Sequence, residues 1–160
     1  MDYPARKPNR LTCYNYAENG VYFITCCTKD HCCFFSDREN PVQLTLWGNI
    51  VEQTICEIPD HYSGVQLVQY VVMPNHIHLL LLLSSSDVSV SQVVQQLKRM
   101  VSLRIGQSVW QKSFHDRVVR NAREYKKIME YIDNNPLRWE LDRYYQKNYI
   151  GGRLVAAPTG

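Results

Sequence analysis

The sequence predicts an α+β domain built on one antiparallel sheet, and three observations carry that expectation. Strand-like apolar runs occur at residues 21–28, 65–73 and 76–83, with a shorter candidate within 113–120. Apolar residues recur at helical spacing over 46–58, from Val90 onward, and over 122–134. The resulting order of strand, helix, strand, strand, helix, strand, helix is a split βαβ pattern with one added helix. A chain of 160 residues suffices for one domain and leaves no room for a second.

Each element has a local cause. The polar start, with Pro4, Pro8 and the basic Arg6, Lys7 and Arg10, reads as an extended arm over 1–20. A single domain is expected over 21–143 and a tail over 144–160. Residues 21–28 are β-branched and aromatic and close at the turn-forming Lys29-Asp30. Leu46, Trp47, Ile50, Val51, Ile55 and Ile58 follow helical spacing, with Thr45 as N-cap and Pro59 as the stop. Pro74-Asn75 is the turn between the next two strands. The second of these is apolar on both faces after its start, as a central strand covered from both sides should be. Ser84-Ser85-Ser86-Asp87 offers the cap for a helix of about four turns with Val90, Val93, Val94, Leu97 and Val101 on one stripe. Asn121-Ala122-Arg123-Glu124 resembles a capping box. The helix it opens must end before Pro136, because the residue ahead of a proline is pushed out of the α region. The expected fold is ferredoxin-like (RRM-like), an antiparallel sheet with two helices on one face and an added C-terminal helix. Such a fold assigns no function by itself.

Composition narrows the class. Hydrophobic residues at 45% and charged residues at 21% exclude a disordered or fibrous chain. The longest apolar run, residues 77–83 with His78 inside it, is far shorter than the ~20 residues that span a bilayer. The N-terminus lacks the apolar stretch of a secretory signal, so a cytoplasmic protein without a membrane partner is expected. The six cysteines, at 13, 26, 27, 32, 33 and 56, lack the CxxC spacing of a zinc ribbon and read as free thiols in a reducing compartment. Charge is unevenly spread. Residues 1–96 carry 5 Lys/Arg against 9 Asp/Glu, whereas residues 97–160 carry 13 against 6. A C-terminal balance of +7 suits an anionic partner such as nucleic acid.

Two short stretches carry chemistry. His76-Ile77-His78 follows the turn directly, and alternation along a strand puts both imidazoles on one face with Ile77 on the other. That is half of a divalent metal site. Alone, the pair reads as two hydrogen-bonded polar residues entering a strand. The second stretch is Tyr131-Ile132-Asp133-Asn134-Asn135-Pro136. Tyr131 and Asn135 are four apart on the last turn of the third helix and share a face. An amide oxygen is a good hard ligand, and the tyrosine beside it would sit next to the metal. Taken alone, Asn135 reads rather as a helix C-cap and Tyr131 as a surface-facing core residue.

The run from Tyr70 to Leu80, with its Met-Pro-Asn-His-Ile-His centre, resembles the signature of the single-tyrosine transposases of the His-hydrophobic-His superfamily. Within it the chain is most similar to the REP-associated tyrosine transposases. Residues 114–121, Tyr131 with Asn135-Pro136, and the stretches 6–11 and 19–25 extend the resemblance over almost the whole chain. Asp133 departs from it, since relatives often carry His there. The resemblance implies that Tyr131 attacks a phosphorus of single-stranded DNA, forming a 5′-phosphotyrosine and releasing a 3′-hydroxyl that can later rejoin strands. No ATP is required, because the covalent bond keeps the phosphodiester energy, and no P-loop motif is present. His76, His78 and Asn135 would hold Mg²⁺ or Mn²⁺. These three are neutral, so the ion would keep its full double charge for the phosphate. The implied partner is single-stranded DNA with hairpin (REP-like) elements, bound by a monomer or homodimer.

For DNA contacts the basic candidates are Arg6, Lys7, Arg10, Lys98, Arg99, Arg117, Arg120, Arg123 and Lys127, with Arg104 beside them. Tyr144, Tyr145 and Tyr149 are candidates for stacking on bases. His115 is a possible substitute ligand or proton carrier. Tyr125 competes for the role of nucleophile, but its i+4 neighbour is Met129, which is no hard ligand. Two other classes stay open: a non-catalytic module binding single strands on its sheet, and a metal-dependent nuclease in which water attacks.

Overall fold

The computed structural model describes residues 20–84 and 87–145. Four strands, β1 (Gly20–Cys27), β2 (Val65–Met73), β3 (His76–Leu83) and β4 (His115–Val118), form one antiparallel sheet in the order β2-β3-β1-β4. This is the expected ferredoxin-like order. The central strand β3 is buried over nearly its whole length. Its odd-numbered residues, Ile77, Leu79, Leu81 and Leu83, pack with Ile24 and Cys26 under α1 (Leu46–Cys56) and α3 (Val90–Ile105). On the other face Leu80 and Val21 meet Tyr125, Ile128, Met129 and Ile132 of α4 (Ala122–Asn134). One helix therefore covers the face that carries the histidines. Gln69 of β2 ties it down by donating to Asp133 at 2.7 Å.

Most boundaries follow the local signals. Thr45 caps α1, accepting from the Gly48 amide at 3.0 Å, and Asn121 caps α4, accepting from the Glu124 amide at 2.8 Å. Other signals were overridden. Pro59 does not stop the first helix; the chain turns at Glu57 and Pro59 sits in the first turn of a short α2 (Ile58–His61), where its missing N–H costs nothing. The cap of α3 is Ser89, not Ser84–Asp87, because Gln92 completes a reciprocal capping box with it. At α4 the box is half formed, since the Glu124 carboxylate accepts from the Arg120 amide instead of that of Asn121. Gly48 lies where a Cβ would come 1.8 Å from the Phe35 carbonyl oxygen, so only glycine lets α1 approach that loop. Five cysteines among the described residues are free thiols.

Candidate active site

The site lies at the start of β3, beside the C-terminal end of α4. Antiparallel register sets Cys27 opposite His76 and Thr25 opposite His78. Both imidazoles are buried, with ring centroids 4.7 Å apart. Their outer nitrogens are anchored. The Asn75 amide nitrogen donates to the carbonyls of Tyr144 at 2.9 Å and His31 at 3.3 Å, which turns the amide oxygen toward His76 Nδ1 at 2.9 Å. An amide oxygen only accepts, so Nδ1 carries the proton and the Nε2 lone pair faces inward. His78 Nδ1 pairs with the Thr25 hydroxyl at 2.9 Å. Both Nε2 atoms are buried without a hydrogen-bond partner, and so is the Asn135 side-chain oxygen. Three buried polar atoms without partners in one place are what a cation site offers.

A carboxylate joins them. Asp142 follows the 3₁₀ segment Pro136–Leu141, and its side chain is 1% exposed. Its Oδ2 accepts from the Asn135 amide nitrogen at 2.9 Å and from the Tyr131 hydroxyl at 3.4 Å, and lies 3.8 Å from His76 Nε2. Its Oδ1 accepts from the Tyr144 amide at 2.8 Å. His76, His78 and Asp142 present ligand atoms within 4.8 Å of one another. Two histidines and a carboxylate suit a first-row divalent ion, with the amide oxygen of Asn135 as a further donor. Asp142 would add a negative charge to the all-neutral set expected from the sequence.

Electrostatics follow from burial. His76 is pushed down to about 3 by desolvation, opposed by the Asn135 side chain beside it. His78 falls well below its ordinary value through desolvation and the neighbouring His76. Both stay neutral, the form a metal binds. Tyr131 is 39% exposed, its ring edge-on to His78 at 5.2 Å. Desolvation, then the Asp142 charge, raise its phenol to about 12, so it is protonated at neutral pH. It opens on a groove of about 460 Å³ shared with Phe23, His115, Arg117, Lys127 and Tyr144.

The structure thus brings His76, His78, Tyr131 and Asn135 together, with Lys127, Arg117 and His115 along the groove. Arg117 also pairs with Glu124 at 3.3 Å. Arg120 and Arg123 are exposed near the start of α4. Other expectations change. The Lys98 ammonium donates to the backbone carbonyls of Gln111, Lys112 and Ser113, which ties it to that loop in place of a phosphate. Lys98, Arg99 and Arg104 lie on α3, on the face of the sheet away from the histidines, and Arg104 is paired with Glu57 at 2.8 Å. Tyr125 is buried in the core under α4. Tyr144 lies against His76 at 4.5 Å between centroids, and Tyr145 packs on Trp139. Arg6, Lys7, Arg10 and Tyr149 lie outside the described residues. Asp142, Asn75 and Thr25 escaped sequence reasoning. Asn75 had one available signal, its place directly before His76; Asp142 had none.

Comparison with known proteins bears on the fold and the family. A protein of unassigned function from Haemophilus influenzae is 32% identical over 88% of this chain and 93% of its own length. The REP-associated tyrosine transposase of Escherichia coli is 29% identical over 43% of this chain and 42% of its own. Among solved structures, a REP-associated tyrosine transposase bound to a REP hairpin superposes with a TM-score of 0.61 at 21% identity, covering 78% of this chain and 70% of the other. Among the described residues no helix is long and apolar enough to cross a membrane. Residues 26–135, well over half of the sequence and spanning both the paired histidines and the tyrosine helix, match the model of the IS200-like transposases, and the chain belongs to that transposase family.

Proposed function

We propose that the protein is a metal-assisted strand transferase that cuts and rejoins single-stranded DNA beside hairpins, with Tyr131 as nucleophile. The observation that supports it best is the convergence of the Tyr131 hydroxyl, two orphaned histidine nitrogens, the orphaned Asn135 oxygen and the buried Asp142 carboxylate. In the cleavage step the phenol oxygen bonds to phosphorus and the bond to the 3′-oxygen breaks, giving a 5′-phosphotyrosine and a 3′-hydroxyl. Asp142 is the nearest acceptor for the phenolic proton, at 3.4 Å. Lys127 and Arg117 line the same groove and supply positive charge for the strand. Mg²⁺ or Mn²⁺ held by His76, His78, Asp142 and Asn135 would, when bound, withdraw charge from a non-bridging phosphate oxygen. The hairpin bound by the structural relative supports a hairpin substrate here.

One denaturing gel tests the reading. Protein is incubated with an end-labelled hairpin carrying single-stranded flanks and either Mg²⁺ or Mn²⁺. A covalent adduct that disappears in Tyr131→Phe is the expected result. Cleavage products that persist in Tyr131→Phe would assign the attack to water. Binding without cleavage in either metal would leave only a single-strand-binding module.

A further inference from the structure

A second recess, of about 330 Å³, shares its rim with the histidine-bearing groove. Tyr131 and Lys127 line both, so the phenol stands on the ridge between two hollows. The far wall of the second is the 3₁₀ segment Pro136–Leu141. This segment is pinned at its ends by the Asn135–Asp142 hydrogen bond of 2.9 Å. At its middle Trp139, 3% exposed, donates to the Arg38 carbonyl at 3.1 Å. Its remaining side chains face outward. Arg138 departs from helical geometry (φ −113°, ψ 26°), and Leu137 and Leu141 are 84% and 81% exposed. Lys127 and Glu130, three apart on α4, and Arg138 of the 3₁₀ segment line the recess, while the Asp142 carboxylate is turned inward.

The geometry points to this recess as the seat of the unpaired nucleotide on the far side of the scissile phosphate, a role that rests on the strand-transfer reading. A nucleophile that cuts a continuous strand needs DNA running away from it in two directions. The first groove receives one flank, with Phe23 on its wall for a base and Arg117 for phosphate. The second receives the other: Leu141 covers a base face, and Lys127 and Arg138 meet the adjoining phosphates. Exposed apolar surface in a recess that two cations also line suits a nucleotide, which is flat and apolar in its base and anionic along its backbone.

Fluorescence anisotropy tests this without cleavage, in a Tyr131→Phe background. Three labelled hairpins are compared: one single-stranded through the cleavage site on both sides, and two truncated on one side or the other. Arg138→Ala and Leu141→Ala should each weaken the full strand about tenfold, the size of one lost stacking or phosphate contact. They should have no effect on one of the truncated strands, for which the starting protein is already weak. Leu103→Ala, an exposed leucine on α3, serves as the control. Unchanged affinity for the full strand in both variants would overturn the assignment, as would equal loss for both truncated strands. So would Leu141→Ala strengthening DNA binding, or converting a dimer to a monomer with DNA affinity intact, since the recess would then hold protein. Loss of the covalent adduct in the gel assay bears on Tyr131 chemistry and leaves these binding outcomes readable.

Discussion

Asn75 does not touch the reacting atoms, yet the geometry makes it the residue that sets the His76 tautomer. Replacing it with alanine removes the acceptor at 2.9 Å from His76 Nδ1 and the donor to two carbonyls. The imidazole has no exposure, so its Nδ1–H is left without a partner at a cost of about 1–3 kcal/mol. The His31 and Tyr144 carbonyls are only partly buried, and water can replace their lost donor. Taking about 2 kcal/mol as the net loss, the melting temperature should fall by roughly 4–8 °C for a domain of this size. A freed ring can also move its proton to Nε2, which removes a lone pair from the site. Losing such a supporting partner weakens metal binding about 10–100-fold, or about 1.4–2.7 kcal/mol. Melting without metal and Mn²⁺ titration followed by electron paramagnetic resonance separate the two effects. Asn75→Asp keeps an acceptor for Nδ1 but no donor for the carbonyls, so it should lose stability while retaining most Mn²⁺ affinity. If Asn75→Ala binds Mn²⁺ as tightly as the parent, the tautomer argument is wrong.

Three further outcomes follow from the same coordinates. His76 and His78 both titrate below their unfolded value, so the unfolded chain binds more protons and stability must fall as pH drops from 6.5 toward 3. The slope should approach about 1.4 kcal/mol per pH unit for each histidine; urea unfolding between pH 7 and 5 that shows a flat profile would refute their burial in the neutral form. Mn²⁺ at ~100 times its Kd should stabilise the fold by about 2.7 kcal/mol, and Asp142→Asn should shrink that thermal shift at a fixed Mn²⁺ concentration; an undiminished shift would remove Asp142 from the ligand set. Gly48→Ala should cost about 3 kcal/mol, because its Cβ would meet a backbone oxygen 1.8 Å away; a melting temperature within 2 °C of the parent, the low end of the shift for ~1 kcal/mol, would show that the Phe35 loop yields freely.

Much of this molecule is written locally. The alternation through His76-Ile77-His78 put both imidazoles on one face because a pleated strand has no other option. The period of Tyr125, Ile128, Met129 and Ile132 put Tyr131 at the border of a buried stripe for the same kind of reason, and its 39% exposure follows. Where local signals failed, they competed with one another. Pro59 reads equally as a stop or as a first-turn residue, and Ser89 with Gln92 outbid the earlier serines because it offered two hydrogen bonds.

The sequence by itself determined the order of elements along the chain, helix phase and the shared face of Tyr131 and Asn135, since each depends on local spacing. Only the tertiary structure decided that α4 closes over the histidine face, that Asp142 turns back to reach His76, Asn135 and Tyr131, and that Lys98 is occupied by a loop. These contacts join residues far apart on the chain or across an irregular segment, where no period relates one side chain to the next. What places them is the requirement that every buried polar group find a partner, and that requirement has no address in the sequence until the chain has folded.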